Sequence, residues 1–271
     1  MIYRWLLLLV PLSLGLTYFT HAPPLVVFAA AILAIIPLAE WIRRSTENLA
    51  LVLGRGVGTL LNVTFGNMTE LLLAFFMLLD GRVSVVKGQI TGSIIGNSLL
   101  GLGLAIMVGS LGRERQTFNR ASAGRLASLL ILTVIALLVP ALFDLTERGA
   151  HPTFDAAIPD ERLSLGVSIV LIGVYAASLV YALVTHRKLF QGGEGQDEEE
   201  EEERKDPWPA AVSVGVLLAC TVFTGWEAEI TAGALEGAAT TLGLSFFFMG
   251  VIVLAIIGNT SEYVAAIYFA R

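Results

Sequence analysis

The chain has 271 residues, of which 55% are hydrophobic and only 15% are charged, and its net charge is −6. A soluble domain is about a quarter charged, whereas the apolar runs here repeatedly reach the roughly 20 residues that cross about 30 Å of hydrocarbon. The composition therefore excludes a soluble fold. It predicts an all-α polytopic membrane protein in contact with the lipid bilayer, with no nucleic-acid partner.

Cysteine and histidine offer no metal chemistry in this sequence. Cys220 is the single cysteine and lies in an apolar run, so neither a disulfide framework nor a Cys-based metal site is expected. His21, His151 and His186 fall in or beside connecting segments, without the spacing of a zinc site. No nucleophile–base pair lies within a predicted helix, so we expect neither an enzyme nor a bound cofactor.

Apolar windows bounded by turn signals predict about eight transmembrane helices. Pro23 and Pro24 separate the first two, because consecutive prolines cannot continue a helix interior. Segment 43–56 is polar enough to lie at the surface, and segment 144–162 is predicted to form a longer polar loop. In chain order the helices lie near 2–20, 24–42, 57–79, 88–111, 122–143, 163–185, 207–226 and 241–270.

The distribution of basic residues predicts the orientation of these helices. Cytoplasmic connections carry the excess of positive charge in membrane proteins. With the N-terminus in the cytoplasm, the outer side keeps few of the 17 lysines and arginines: Arg82, Lys87, Arg148 and Arg162. We therefore expect a multi-pass protein of a prokaryotic plasma (inner) membrane with a cytoplasmic N-terminus.

An acidic run lies between the sixth and seventh predicted helices, on the cytoplasmic side. It includes an unbroken series of glutamates from Glu198 to Glu203. Like charges repel one another and keep such a segment solvated, which is typical of a linker. A weak cation-attracting or regulatory element is the alternative. In neither case do we expect this run to supply ligands for a transported ion.

Two matching pentapeptides place acidic residues inside the membrane. The first, 66–70, reads Gly-Asn-Met-Thr-Glu in the third helix, and the second, 258–262, reads Gly-Asn-Thr-Ser-Glu in the eighth. An ionisable side chain near the bilayer centre costs at least about 2.5 to 3.5 kcal/mol on insertion scales, so Glu70 and Glu262 are predicted to be functional. Close helix packing explains the glycines of these motifs but not the two carboxylates.

The spacing within each motif brings oxygen atoms together. An asparagine and a glutamate three residues apart lie on one helical face, and the preceding glycine permits a break that frees backbone carbonyls. Carboxylate, amide and carbonyl oxygens suit a hard cation such as calcium. We therefore predict a cation site formed by Glu70 and Glu262, with oxygens from these motif residues: Gly66, Asn67, Gly258 and Asn259.

The two motifs run in opposite directions through the bilayer, because an odd number of crossings separates the third helix from the eighth. This arrangement is an inverted repeat, in which the substrate binds at the interface of the two halves on interrupted helices. Access to the site then alternates as one half moves against the other.

The fourth and second helices add polar candidates. Small residues line the fourth helix from Gly92 to Gly103, and Asn97 is predicted either to contribute a further oxygen ligand or only to accompany close packing against the third helix. Near the cytoplasmic end of the second helix, Glu40 and Glu47 are either ordinary interfacial carboxylates or a funnel for cations.

The motifs resemble those of the calcium/proton exchanger (CAX) family of the cation/calcium exchanger superfamily. Segment 61–71 is similar to the family's first signature, and the second signature begins at 258–259. Segments 86–93 and 96–100 are also similar to the family's pattern. The resemblance covers essentially the whole chain and includes the acidic linker.

The resemblance implies an inverted-repeat exchanger with about eleven helices that exchanges calcium, or a related divalent cation, for protons. Glu70 and Glu262 would be its central acids, helped by Asn97 and the motif oxygens. On this plan, residues 1–20 form a leading helix, 21–190 the first five-helix repeat, 191–206 the acidic linker and 207–271 an incomplete second repeat. The last three helices would be missing, and we expect residues 1–271 alone not to transport.

Two positions depart from the family's pattern and leave alternatives open. Tyr263 stands where members often carry His, and Ala255 stands where they carry Pro. A sodium-coupled cation exchanger is therefore one alternative, and a non-transporting membrane subunit is another. A homo-oligomer is compatible with the sequence, which gives no oligomeric state.

Overall fold

The computed structural model describes residues 5–54, 60–61, 64–113, 117–118, 120–150, 157–180 and 208–270. All regular secondary structure in these ranges is helical. The helices are α1 Leu9–Phe19, α2 Pro24–Leu53, α3 Met68–Leu79, α4 Val83–Ile95, α5 Leu102–Gly109, α6 Arg120–Ala150, α7 Ala157–Val180, α8 Ala210–Leu242, α9 Phe246–Phe248, α10 Ala255–Gly258 and α11 Thr260–Ala270. A π-helical segment, Gly96–Gly101, joins α4 to α5, and a second, Met249–Leu254, joins α9 to α10.

Each predicted helix has a counterpart, although few of them meet the length of a full span. Within the described residues, Pro24–Leu53, Val83–Gly109 and Ala210–Leu242 are long and apolar enough to cross a membrane. Phe246–Gly258 and Thr260–Ala270 are long and apolar enough only when taken together, and the 50° bend between them fits either one broken span or a re-entrant loop. Shorter apolar helices lie at Leu9–Phe19, Met68–Leu79, Ala127–Phe143 and Arg162–Ala177. The all-helical membrane fold is confirmed, and the number of spans stays a prediction.

The prediction that segment 43–56 lies at the surface is wrong for its first part. Helix α2 continues to Leu53, and Asn48 is buried in it. The amide Nδ2 of Asn48 donates to the Trp208 carbonyl at 3.1 Å and to Ser213 Oγ at 2.7 Å, and the Trp208 amide donates to Asn48 Oδ1 at 2.9 Å. These partners, more than 150 residues away in sequence, satisfy the side-chain polar atoms of Asn48.

Two other boundaries differ from the prediction. Helix α8 continues to Leu242, so it includes the stretch between the predicted seventh and eighth helices. The predicted loop at 144–162 is shorter, because α6 extends to Ala150 and α7 begins at Ala157. The acidic run lies outside the described residues.

The chain divides into two compact units by packing. One comprises Met1–Glu114 with Glu198–Arg271, and the other comprises Arg115–Asp197. In the first unit α2 packs lengthwise on α8, α1 packs on α2, and α3 packs on α8. In the second unit α6 packs on α7. The predicted boundaries of the two repeats concern sequence symmetry, which this division does not test, and they stay a prediction.

The contact between α4 and the Met249–Leu254 segment depends on glycine. A Cβ at Gly92 would overlap the carbonyl of Val251, and a Cβ at Gly250 would overlap the carbonyl of Val85. Small residues allow helix backbones to approach in lipid, where van der Waals packing and interhelical hydrogen bonds drive association. Close packing of α4 therefore occurs chiefly against the segment before the second motif, whereas one of the two alternatives left open by the sequence placed it against the third helix.

The acids near the end of α2 are held by arginines of the same helix. Arg43 donates to Glu40 Oε1 at 2.9 Å, Arg44 donates to it at 2.6 Å, and Arg43 also pairs with Glu47. The Glu40 side chain is almost completely buried. Because its charge is already matched by two guanidinium groups, the structure does not support a part for Glu40 in a cation funnel.

Candidate functional site

Both motifs interrupt a helix at their asparagine. Asn67 has φ −98° and ψ 13° at the start of α3, and Asn259 has φ −94° and ψ 9° between α10 and α11. Glu70 and Glu262 then lie in the first turn of the helix that follows. The partial positive charge of a helix N-terminus favours a negative side chain at this position. The same local geometry therefore recurs at the two acids.

The acid of the first motif lies directly against the backbone of the second. A Cβ at Gly258 would be 3.0 Å from Glu70 Cγ and 3.6 Å from Glu70 Cδ. The Glu70 and Glu262 carboxyl groups are also close enough to interact electrostatically. A Cβ at position 258 would press on Glu70 Cγ, so glycine allows the closest approach of the two motifs.

The acid of the second motif is connected through Asn97 to the π-helical segment that follows α4. The Asn97 amide Nδ2 donates to Glu262 Oε2 at 2.6 Å and to Asn259 Oδ1 at 2.8 Å. Asn259 is fully buried, and its own Nδ2 donates to Ser93 Oγ at 2.9 Å and to the Ala255 carbonyl at 2.7 Å. Asn259 therefore fastens the helix break to α4, while Asn97 orients the carboxylate.

Gln89 connects α4 to the first motif. Its Nε2 donates to the main-chain carbonyl of Glu70 at 3.1 Å. Glu70 Oε2 and Gln89 Oε1 are buried and have no hydrogen-bond partner among the described residues. A buried polar atom without a partner calls for an explanation. Glu70 Oε2 can accept a proton, and either oxygen can contact a cation.

The described contacts join five of the seven predicted site residues: Glu70, Gly258, Asn259, Glu262 and Asn97. Gly66 and Asn67 form the turn directly before α3. The Asn67 side chain makes no capping hydrogen bond to that helix.

Sequence reasoning missed Gln89 and gave Ser93 no role. A signal for both was present, because Gln89, Ser93 and Asn97 are spaced four residues apart and so share one face of a helix.

Tyr263 fills the space beside the first π-helical segment. Its hydroxyl lies where a Cβ of Gly96 would be, and its ring lies 3.2 Å from the Cβ position of Gly101. The Tyr263 hydroxyl is buried and has no hydrogen-bond partner among the described residues. Single π-helical turns are frequent at functional sites. Tyr263 packs the helix of the second acid against the turn that carries Asn97.

We expect Gly96→Ala to lower the free energy of unfolding by about 1 kcal/mol, because the added methyl group overlaps the Tyr263 hydroxyl. The next nearest atom, Tyr263 Cζ, is 3.6 Å from the Cβ position, which is an ordinary contact. Removing the hydroxyl in Gly96→Ala/Tyr263→Phe should therefore restore most of the loss. Thermal unfolding of purified protein measures this, with Tyr263→Phe alone as the control. A double variant no more stable than Gly96→Ala would contradict the packing described here.

The donor set at this site is oxygen-based and includes only two acids. Among the described residues, no group of three or more His, Cys, Asp or Glu side chains is arranged to hold a metal ion. Two carboxylates with amide, hydroxyl and main-chain oxygens suit calcium better than a soft metal, because calcium accepts six to eight oxygen ligands in irregular geometry.

The fold and the site define a class of membrane proteins in which acidic residues follow interruptions in the helices. The family described as "Sodium/calcium exchanger protein" matches residues 23–184 and 212–271. The chain therefore belongs to this family, and the calcium/proton exchanger branch predicted from its motifs is confirmed. The family consists of transporters, and the protein is an integral membrane protein.

Named relatives and a solved structure are similar over most of the chain. The Ca(2+)/H(+) antiporter of Synechocystis sp. is 41% identical, over 90% of this chain and 67% of the relative. The Ca(2+)/H(+) antiporter ChaA of Bacillus subtilis is 38% identical, over 96% of this chain and 72% of the relative. The structure titled "Structure of native YfkE" has a TM-score of 0.78 at 32% identity, over 99% of this chain and 72% of that one.

Proposed function

We propose that this protein is a secondary antiporter that exchanges calcium for protons across a prokaryotic plasma membrane, with its N-terminus in the cytoplasm. The observation that carries the proposal is the meeting of the two motifs, in which the Glu70 carboxyl lies on Gly258 and interacts with Glu262. The names of the bacterial relatives support calcium and protons as the exchanged ions.

Calcium would bind between the two carboxylates and the oxygens around them. Asn97 now presents its NH₂ group to Glu262. Turning this amide about its Cβ–Cγ bond would present Oδ1 to the cation instead, and Gln89 Oε1 is a further buried oxygen nearby. Main-chain oxygens at the Gly66–Asn67 and Gly258–Asn259 breaks would complete the set, as predicted from the sequence.

Exchange follows from the cost of an empty charged site. Two carboxylates that are close together in a low dielectric cannot both stay ionised without a cation. Calcium neutralises the pair in one state, and protons neutralise it in the other. Each ion therefore leaves only when the other replaces it, and alternating access delivers the two ions to opposite sides of the membrane.

Calcium uptake into inverted membrane vesicles from cells that express the complete gene tests this function. We expect uptake when the vesicle interior is acidic, and loss of uptake when a protonophore collapses the pH gradient. Vesicles without the protein give the background. Uptake driven by a sodium gradient in the absence of a pH gradient would contradict proton exchange and favour the sodium-coupled alternative.

A further inference from the structure

A third acid, Glu227, is buried in α8, outside the two motifs in the sequence. Its side chain is fully buried, as is Ser13 on α1. The Ser13 hydroxyl donates to Glu227 Oε2 at 2.7 Å. The other carboxyl oxygen, Oε1, is buried and has no hydrogen-bond partner among the described residues. Glu227 thus connects α8 to α1.

No basic residue compensates a charge on Glu227 within the described part of the chain. The titratable or charged groups on helices packed against α8 are Tyr18 on α1, Glu40, Arg43, Arg44 and Glu47 on α2, and Glu70 on α3. None of them is hydrogen-bonded or ion-paired to Glu227. Tyr18 accepts a hydrogen bond from Trp226, and Glu40 is paired with two arginines. On α8 itself, Glu229 is exposed, and Glu236 pairs with Arg82.

A buried carboxylate without a cation is expensive, and a proton is the simplest way to neutralise it. The serine partner suits both forms of the acid, because a hydroxyl can donate to a carboxylate and accept from a carboxylic acid. Thr224 Oγ1, one turn earlier on α8, is also buried without a hydrogen-bond partner among the described residues. Glu227 therefore has the surroundings of a group that gains and loses a proton.

We propose that Glu227 is a second proton-binding site, formed between α1 and α8 and separate from the Glu70–Glu262 pair. This inference rests on the proposed proton exchange. It adds to that exchange a second bound proton, which does not share its site with calcium. Because Ser13 comes from α1, binding of the proton is linked to the contact between α1 and α8. A purely structural carboxyl would be replaced equally well by glutamine, whose amide oxygen also accepts from Ser13.

Infrared difference spectroscopy of the purified protein tests this proposal without requiring transport. We expect a carbonyl stretching band of a protonated carboxylic acid that titrates with pH and is lost in Glu227→Gln. Ser13→Ala should shift that band to higher frequency, because the carboxyl loses its hydrogen-bond donor. Glu229→Gln, which removes an exposed acid on the same helix, should leave the band unchanged. A Glu227→Gln protein that keeps every protonated-carboxyl band would overturn the proposal.

Vesicle uptake supplies the second measurement. In Glu227→Gln we expect calcium uptake to persist, with the slope of log rate against pH reduced by about one because one titrating proton is removed. A pH profile identical to that of the unmodified protein would overturn the coupling of this proton to exchange. If the unmodified protein shows the infrared band but no proton-driven uptake, the proposed function fails while the proton site stands. Thermal unfolding of Glu227→Gln confirms that the variant is folded.

Discussion

Glu70→Gln and Glu262→Gln should each reduce calcium-driven proton exchange by about 1,000-fold or more. Glutamine keeps the shape of the side chain but leaves a single carboxylate to hold a divalent cation. Two unit charges about 4 Å apart interact by about 4 kcal/mol at an effective dielectric constant near 20. A loss of this size corresponds to about three orders of magnitude in affinity.

Calcium uptake into acid-loaded inverted vesicles measures the effect, normalised to the amount of protein in the membrane. Both variants should insert and fold, since removing a charge from a membrane interior relieves a cost rather than adding one. Glu229→Gln, which neutralises an exposed acid on α8, is the matched control and should transport normally. Unchanged uptake in either motif variant would show that the cation binds elsewhere.

The second large effect is expected from Gly92→Ala, which should lower the free energy of unfolding by about 3 kcal/mol, at the upper end of the usual cost of overpacking. The added methyl group would overlap the main-chain carbonyl of Val251, and a backbone atom cannot rotate aside as a side chain can. The two helices would have to separate along their whole contact. Gly92 makes no hydrogen bond to a site residue. The expected loss of stability therefore comes from the disturbed helix packing.

Gly103→Ala is the control for this experiment. Gly103 lies in the same continuous helix, Val83–Gly109, and a Cβ there would meet nothing within 4 Å. Thermal unfolding and the yield of monodisperse protein in detergent measure both variants. Equal stability of Gly92→Ala and Gly103→Ala would show that α4 and the Met249–Leu254 segment do not pack through their backbones.

The positions of the helices and of their breaks could be predicted because their signals are local. A long apolar run indicates a membrane helix wherever it occurs, and a Gly-Asn pair followed by an acid indicates an interruption within five residues. Glu70 and Glu262 were predicted to lie together because an odd number of predicted membrane crossings separates the two matching motifs. Such spacing indicates an inverted repeat, whose two motifs meet at one site. None of these inferences required knowledge of which side chains touch.

The remaining features depend on partners distant in sequence. Helix α2 continues past its arginines, and Asn48 in this part of the helix is hydrogen-bonded to Trp208 and Ser213, which follow the acidic run in the sequence. Glu227 escaped attention because the seventh helix was predicted to end at 226, which placed this acid in a connection rather than in a helix. A polar residue near a helix end cannot be judged from sequence when its hydrogen-bond partner belongs to another helix.

The glycine contact between α4 and the Met249–Leu254 segment also constrains motion. Helices that touch through main-chain atoms cannot slide past one another, because a shift along the axis brings a Cβ into the gap that glycine leaves open. Helix α4 carries Ser93 and leads into the π-helical segment with Asn97, and the Met249–Leu254 segment leads into Asn259 and Glu262. In the proposed antiporter these two elements, which belong to different predicted repeats, would move together, so we expect the movement of one repeat against the other to occur at other helix contacts. In the proposed mechanism the main-chain positions of Asn97, Asn259 and Glu262 would stay fixed relative to one another while access to the site alternates.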